Sequence, residues 1–185
     1  RFFLKYYIGD SAVGIYTFGY LIGQGLSMVY ESISQAIFPK VYNDMNSDYE
    51  KAKDELEQFS YKYYIGLILI TVCISALSPI IVAIFSNDNY SQAATVMPFI
   101  MAGFMMGGFY KIPSIVLGFH KVVWFYPFLA ILSFGINALL NWWLIPIYGI
   151  VGSAFASFIG FTINSFVISM VSMKYHSLKY DIFIL

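Results

Sequence analysis

Apolar stretches free of charge dominate the chain. They run over residues 63–85, 91–110, 122–145 and 150–173, and a fifth, 11–38, is interrupted only by Glu31. Each reaches the roughly 18 residues that a helix needs to cross the hydrocarbon of a bilayer. None alternates apolar and polar positions with period two, and in a bilayer core only helices or closed barrels pair every backbone group. The pattern predicts an all-α fold: a polytopic membrane helix bundle of five full transmembrane helices. Residues 1–8 read as the end of a preceding one.

The breaks have turn chemistry. Gly9, Asp10 and Ser11 follow the first stub, residues 86–90 read SNDNY, and residues 145–149 read IPIYG. Pro146 is expected to stop one helix, because it lacks an N–H and clashes with the preceding turn. Gly149 then permits a tight reversal, with Trp142 and Trp143 placed as interfacial aromatics. Residues 40–62 form the longest polar segment. In it Ser47, Asp48, Tyr49 and Glu50 spell a capping box, the start of a helix whose apolar face is Tyr49, Ala52, Leu56, Phe59 and Tyr63. Gly19 with Gly23, Gly103 with Gly107, and Gly152 with Ala156 and Gly160 are small residues at four-residue spacing, which lets helix backbones approach closely.

Composition changes the picture in one respect. Hydrophobic residues make up 59% of the 185 and charged residues 11%, against about 25% charged in a soluble domain, so water is not the solvent for most of this surface. The net charge of zero gives no basis for a nucleic-acid partner. Cys73 is alone, which excludes an internal disulfide, and its apolar surroundings predict an inert buried thiol. The chain opens on Arg1 without a signal-peptide pattern, and so reads as a fragment of a longer protein.

The lysines set an orientation. Lys40, Lys51, Lys53, Lys62, Lys111, Lys121, Lys174 and Lys179 all fall to one side by loop parity, which makes that side cytoplasmic. Arg1 and Lys5 are the exceptions. Arg1 is eight residues before Gly9, about 12 Å below the outer end of its helix. A cation at that depth normally faces water or a partner, so Arg1 and Lys5 are candidate receptors for an anionic substrate, with snorkelling to the headgroups as the alternative. Gln24, Ser27, Glu31, Ser34 and Gln35 form a polar stripe on the first full span. Gln24, Glu31 and Gln35 are candidates to line a hydrophilic path, or else to bond a neighbouring helix. Glu31 is expected either to pair with a basic group outside this sequence or to titrate as a proton site. Asn137 and Asn141 share a helix face and Asn164 lies in the last span. They read as interhelical bonding, with Asn137 and Asn141 also candidate substrate contacts. There is no phosphate-binding glycine loop, no HExxH, no metal-binding spacing of Cys and His, and no GxSxG. His120 and His176 read as loop histidines. Neither an enzyme nor a bound cofactor is expected; coupling would be to a proton or sodium gradient.

Three stretches carry a family resemblance. Residues 1–23, RFFLKYYIGDSAVGIYTFGYLIG, residues 36–44, AIFPKVYND, and residues 137–157, NALLNWWLIPIYGIVGSAFAS, resemble in order and spacing the C-terminal half of bacterial polysaccharide flippases of the O-antigen type. These belong to the superfamily that includes multidrug and toxin extrusion proteins. Ser153 and Ala154 stand where the family often has paired alanines. The resemblance implies that residues 1–185 are most of a C-terminal transmembrane lobe, working with an N-terminal lobe in the bacterial cytoplasmic membrane. It implies a lipid-linked oligosaccharide as substrate, an undecaprenyl-diphosphate sugar, with Arg1 and Lys5 attracting the diphosphate. A multidrug exporter of the same superfamily and a membrane-embedded sugar transferase or polymerase are the alternatives.

Overall fold

The charge-free stretches do form helices, and the helices outrun them. The computed structural model describes residues 2–85 and 92–175, and every regular element among these is an α-helix. The expectations for Arg1, the turn at 86–90, His176 and Lys179 lie outside the described residues.

Helix α1 (Phe2–Tyr7) ends at Gly9, whose φ of 111° suits glycine alone. Helix α2 (Asp10–Ser47) then runs 38 residues, about 57 Å. It passes through Pro39, where the span was expected to end. Pro39 withdraws the N–H that would meet the carbonyl of Gln35, and both residues are exposed, so no buried group is orphaned. Asp48 breaks the helix with an extended backbone and caps α3 (Tyr49–Ala76), its side chain accepting the Lys51 N–H at 3.2 Å. The cap is therefore Asp48 rather than Ser47, whose hydroxyl instead donates to the Asp44 carbonyl at 3.0 Å. Pro79 cannot donate to Ser75, and the chain steps at Leu77 into α4 (Ser78–Phe85).

Helices α5 (Gln92–Phe109) and α6 (Lys111–Phe119) form one apolar unit of 28 residues, broken only at Tyr110. Of its most apolar stretch 61% is buried, against 22–33% for the other long helices, so this unit is the centre of the bundle. Contacts fix the directions. Gly19 meets Met97 and Ile100, Gly23 meets Phe104, and Gly118 meets Phe38 and Tyr42, so α2 runs parallel to α5 and α6. Tyr49 reaches His120 and Tyr63 reaches Gly108, so α3 runs antiparallel to them.

Helix α7 (Tyr126–Tyr175) spans 50 residues but is not straight. Gly149, at φ 59° and ψ −135°, is its one non-helical position. Pro146 lies inside the last turn of the first arm, so the reversal comes three residues later than the proline. Ser133 pairs with Asn164, Asn137 lies against Gly160, and Asn141 pairs with Ser153. These contacts define two antiparallel arms, 126–148 and 150–175. At the tip Gly152 packs against the Leu144 carbonyl, leaving no room for a Cβ. Gly103 and Gly107 receive Phe158 and Phe161 of the second arm. All three small-residue ridges are therefore helix seams.

The outer surface is greasy. Leu21, Met28, Leu69, Ile84, Phe128, Ile131, Phe134 and Phe166 are exposed around the bundle, and Trp142 and Trp143 are exposed near the α7 reversal. A water-soluble protein does not present a belt of that kind. Cys73 belongs to it: it is exposed on the outer face of α3, not buried.

Candidate functional site: a polar groove beside a buried ion pair

The central helix is interrupted for a reason that can be traced to one residue. Pro113 has no N–H, so the Phe109 carbonyl loses its helical donor. The Tyr64 hydroxyl of α3 points at that carbonyl at 3.3 Å, and the Tyr63 hydroxyl donates to the neighbouring Gly108 carbonyl at 3.0 Å. Ser114 folds its hydroxyl back onto the Tyr110 carbonyl at 2.7 Å, a bond that favours bending.

The first side chain past the break is Lys111. It is not a loop lysine, as its position after the apolar run 91–110 suggested; α6 continues for nine residues from it. Its ammonium donates to the Glu31 carboxylate of α2. It also lies 5.6 Å from the centre of the Tyr30 ring and 5.1 Å from that of Tyr110, both within cation–π range. The Lys111 side chain is 14% exposed and that of Glu31 45%. The cation is thus held from three sides while its counter-ion stays accessible.

Beside this pair a groove opens between α2 and α7, with α6 at its base. A cavity of about 490 Å³ is lined by Phe38 of α2, Tyr110 and Ser114 at the helix break, and Tyr126 and Asn164 of α7. A second, of about 260 Å³, is lined by Tyr20 of α2 and by Ser133, Asn137, Ser157 and Asn164 of α7. Asn164 lines both, so the two lie side by side along one groove. Its walls are mostly apolar, with Leu129 and Ile168 among them, and carry a few hydroxyls and amides, the combination that binds an amphipathic organic molecule while fixing its polar groups.

The amides are positioned by the hairpin. Asn141 donates to the Asn137 carbonyl at 2.7 Å and to its side-chain oxygen at 3.0 Å, and accepts from the Ser153 hydroxyl at 2.8 Å. Ser133 donates to Asn164 at 2.9 Å, and the Tyr16 and Ser157 hydroxyls are 3.0 Å apart, tying α2 to α7. Asn141 is buried and serves the seam between the two arms. Asn137 has one face in that seam and another in the groove.

The remaining sequence candidates are dispersed. Lys5 is exposed at the Gly9 turn and pairs with Asp10 at 2.9 Å, with side chains 68% and 79% exposed. Gln24 and Gln35 are exposed on α2, flanking Glu31 along one face. His120 is half-buried at the C-terminus of α6, 3.4 Å from the Tyr49 hydroxyl and against the Phe119 and Tyr175 rings, so it joins three helices instead of sitting free in a loop. Sequence reasoning missed Lys111, Tyr30 and Tyr110 as neighbours of Glu31. The available signal was a lysine directly before an Ile-Pro step, between the apolar residues 91–110 and 112–119, which together are long enough for one helix.

Among the described residues four helices are long and apolar enough to cross a membrane, which defines the class: an all-α membrane protein. No family model, no curated protein and no solved structure matches this chain.

Proposed function

We propose that this chain is a lobe of a membrane transporter that moves a lipid-linked oligosaccharide, an undecaprenyl-diphosphate-linked sugar, across the bacterial cytoplasmic membrane for polysaccharide export. The observation that carries the reading is the groove between α2 and α7: rings, hydroxyls and amides gathered inside an otherwise greasy bundle, with a charged pair on its border. An ionisable pair within a membrane bundle is a mark of a path or site. The similarity of residues 1–23, 36–44 and 137–157 to polysaccharide flippases points the same way.

In this reading five segments cross the membrane: α2, α3 with α4, α5 with α6, and the two arms of α7, with α1 as the end of a sixth. The arms of about 23 and 26 residues are each about 35 Å or more, sufficient for a core of about 30 Å. Residues 40–62 and His120 lie on the cytoplasmic side, Gly9 and Gly149 on the other. A second lobe, covering the exposed face of Gln24, Glu31 and Gln35, would complete the cavity, and rocking of the lobes would move the cargo.

The charge balance favours this cargo over a cationic drug. Glu31 is the acid beside the groove, and Lys111 already neutralises it. Among the described residues the group paired with Glu31 is Lys111 and not the second carboxylate that acid–base sugar transfer would need. The test is reconstitution of the protein in vesicles with a fluorescent lipid-linked oligosaccharide, followed by quenching from outside. Exchange between leaflets above the protein-free rate is expected, and exchange at the protein-free rate overturns the reading.

A further inference from the structure

The Glu31 and Lys111 pair has an asymmetry that its role as a structural tie does not require. Here the cation is fixed and the anion is loose. Lys111 is 14% exposed and rests against two ring faces that do not depend on Glu31. Glu31 is 45% exposed, with Ser34 and Gln35 one turn along on the same exposed face of α2, where a displaced carboxylate finds polar company. Moreover, Tyr110, one of the two rings that hold the ammonium, also lines the larger cavity.

We infer that Lys111 is a receptor for a diphosphate or phosphate group and that Glu31 is a tethered competitor, occupying the seat which the ligand's anion takes over. This rests on the transporter reading for its biological cargo, but the exchange itself is a matter of local chemistry. A cation inside a bundle is stable only with a counter-charge. Swapping a carboxylate for a phosphate oxygen keeps that charge and the charge-assisted hydrogen bond. Glu31 also keeps the empty seat from leaving a bare cation, so the empty site costs less. Lys5, by contrast, lies in the open and pairs with Asp10 at the Gly9 turn.

The test uses the intact detergent-solubilised protein and inorganic pyrophosphate. Carbodiimide labelling of Glu31, read by mass spectrometry, should rise several-fold when pyrophosphate is added, because the carboxylate is released. E31Q removes the competitor and should bind pyrophosphate about tenfold more tightly, as expected when a closed state populated about nine parts in ten is abolished. K111M should lose binding and K111R should keep it. The double variant E31Q/K111M leaves no unpaired charge, folds without that penalty, and should also fail to bind. Unchanged or reduced Glu31 labelling, unchanged or weaker binding by E31Q, or retained binding by K111M or the double variant each overturns the inference.

A second arm places undecaprenyl diphosphate or the uncharged prenol in nanodiscs. Release of Glu31 by the diphosphate but not the prenol assigns the anion to a lipid carrier. Release by free pyrophosphate alone assigns it to a soluble phosphate. The two readings fail separately: leaflet exchange without pyrophosphate competition removes the receptor and leaves transport, whereas competition without exchange does the reverse.

Discussion

Two ion pairs, one at the Gly9 turn and one at the helix break, have the same chemistry and different standing. Lys5 and Asp10 meet at 2.9 Å around Gly9, both in the open. Lys111 and Glu31 meet between α6 and α2, with the ammonium packed against Tyr30 and Tyr110. An exposed pair gains little, because solvent screens it and two flexible side chains must be ordered. A pair with one buried member is different, since removing the partner strands a charge in a medium that cannot hydrate it. The α7 reversal is instead held by backbone proximity, Gly152 against Leu144, and the break between α5 and α6 by charge and hydroxyls.

The largest effect is expected where no charge is involved. Gly152→Ala places a methyl against the Leu144 carbonyl, which is backbone and cannot swing aside. It should cost about 3 kcal/mol, the upper part of the overpacking range. The readout is thermal unfolding in detergent. A loss below about 0.5 kcal/mol would mean that the two arms are not this close.

The comparison of the pairs themselves comes next. A double-mutant cycle on Lys111→Met and Glu31→Gln should give a coupling of about 1–2 kcal/mol, below the fully buried range because Glu31 is half exposed. The matching cycle on Lys5→Met and Asp10→Asn should give under about 0.5 kcal/mol. Equal couplings would erase the distinction.

A single hydroxyl tests the break in the central helix. Tyr64→Phe takes away the hydroxyl that faces the Phe109 carbonyl, at a cost of about 0.5–1.5 kcal/mol. Restoring the helical donor should remove that dependence: in a Pro113→Ala background Tyr64→Phe should be nearly silent. An unchanged cost in that background would show that Pro113 is not what the tyrosine answers.

Much of the scaffold was legible because it follows from chain-local physics. Long charge-free stretches, Gly149 with its reversal, and the glycine ridges each declare themselves within a few residues. Helix ends were less legible. Pro39 and Pro146 sit inside helices, although the missing N–H and the ring clash of each pointed to an end there. Lys111 was misplaced because the eight apolar residues after it, taken alone, are too short to count as a span. The site was legible in pieces: Glu31 and Asn137 were singled out, while the partner 80 residues away and the rings around it depend on how α2 lies along α6. No periodicity within α2 encodes that register.

Solvent access to the groove decides whether it is a path or a packing defect. In a Cys73→Ala background, Asn164→Cys sits in the lining of both cavities and Ile131→Cys sits on the outer greasy face. With the protein in vesicles, a charged, membrane-impermeant maleimide applied from both sides should modify position 164 and spare 131, and lipid-linked oligosaccharide should protect 164. If position 164 stays as unreactive as 131, or reacts equally with and without the cargo, the groove is not the route.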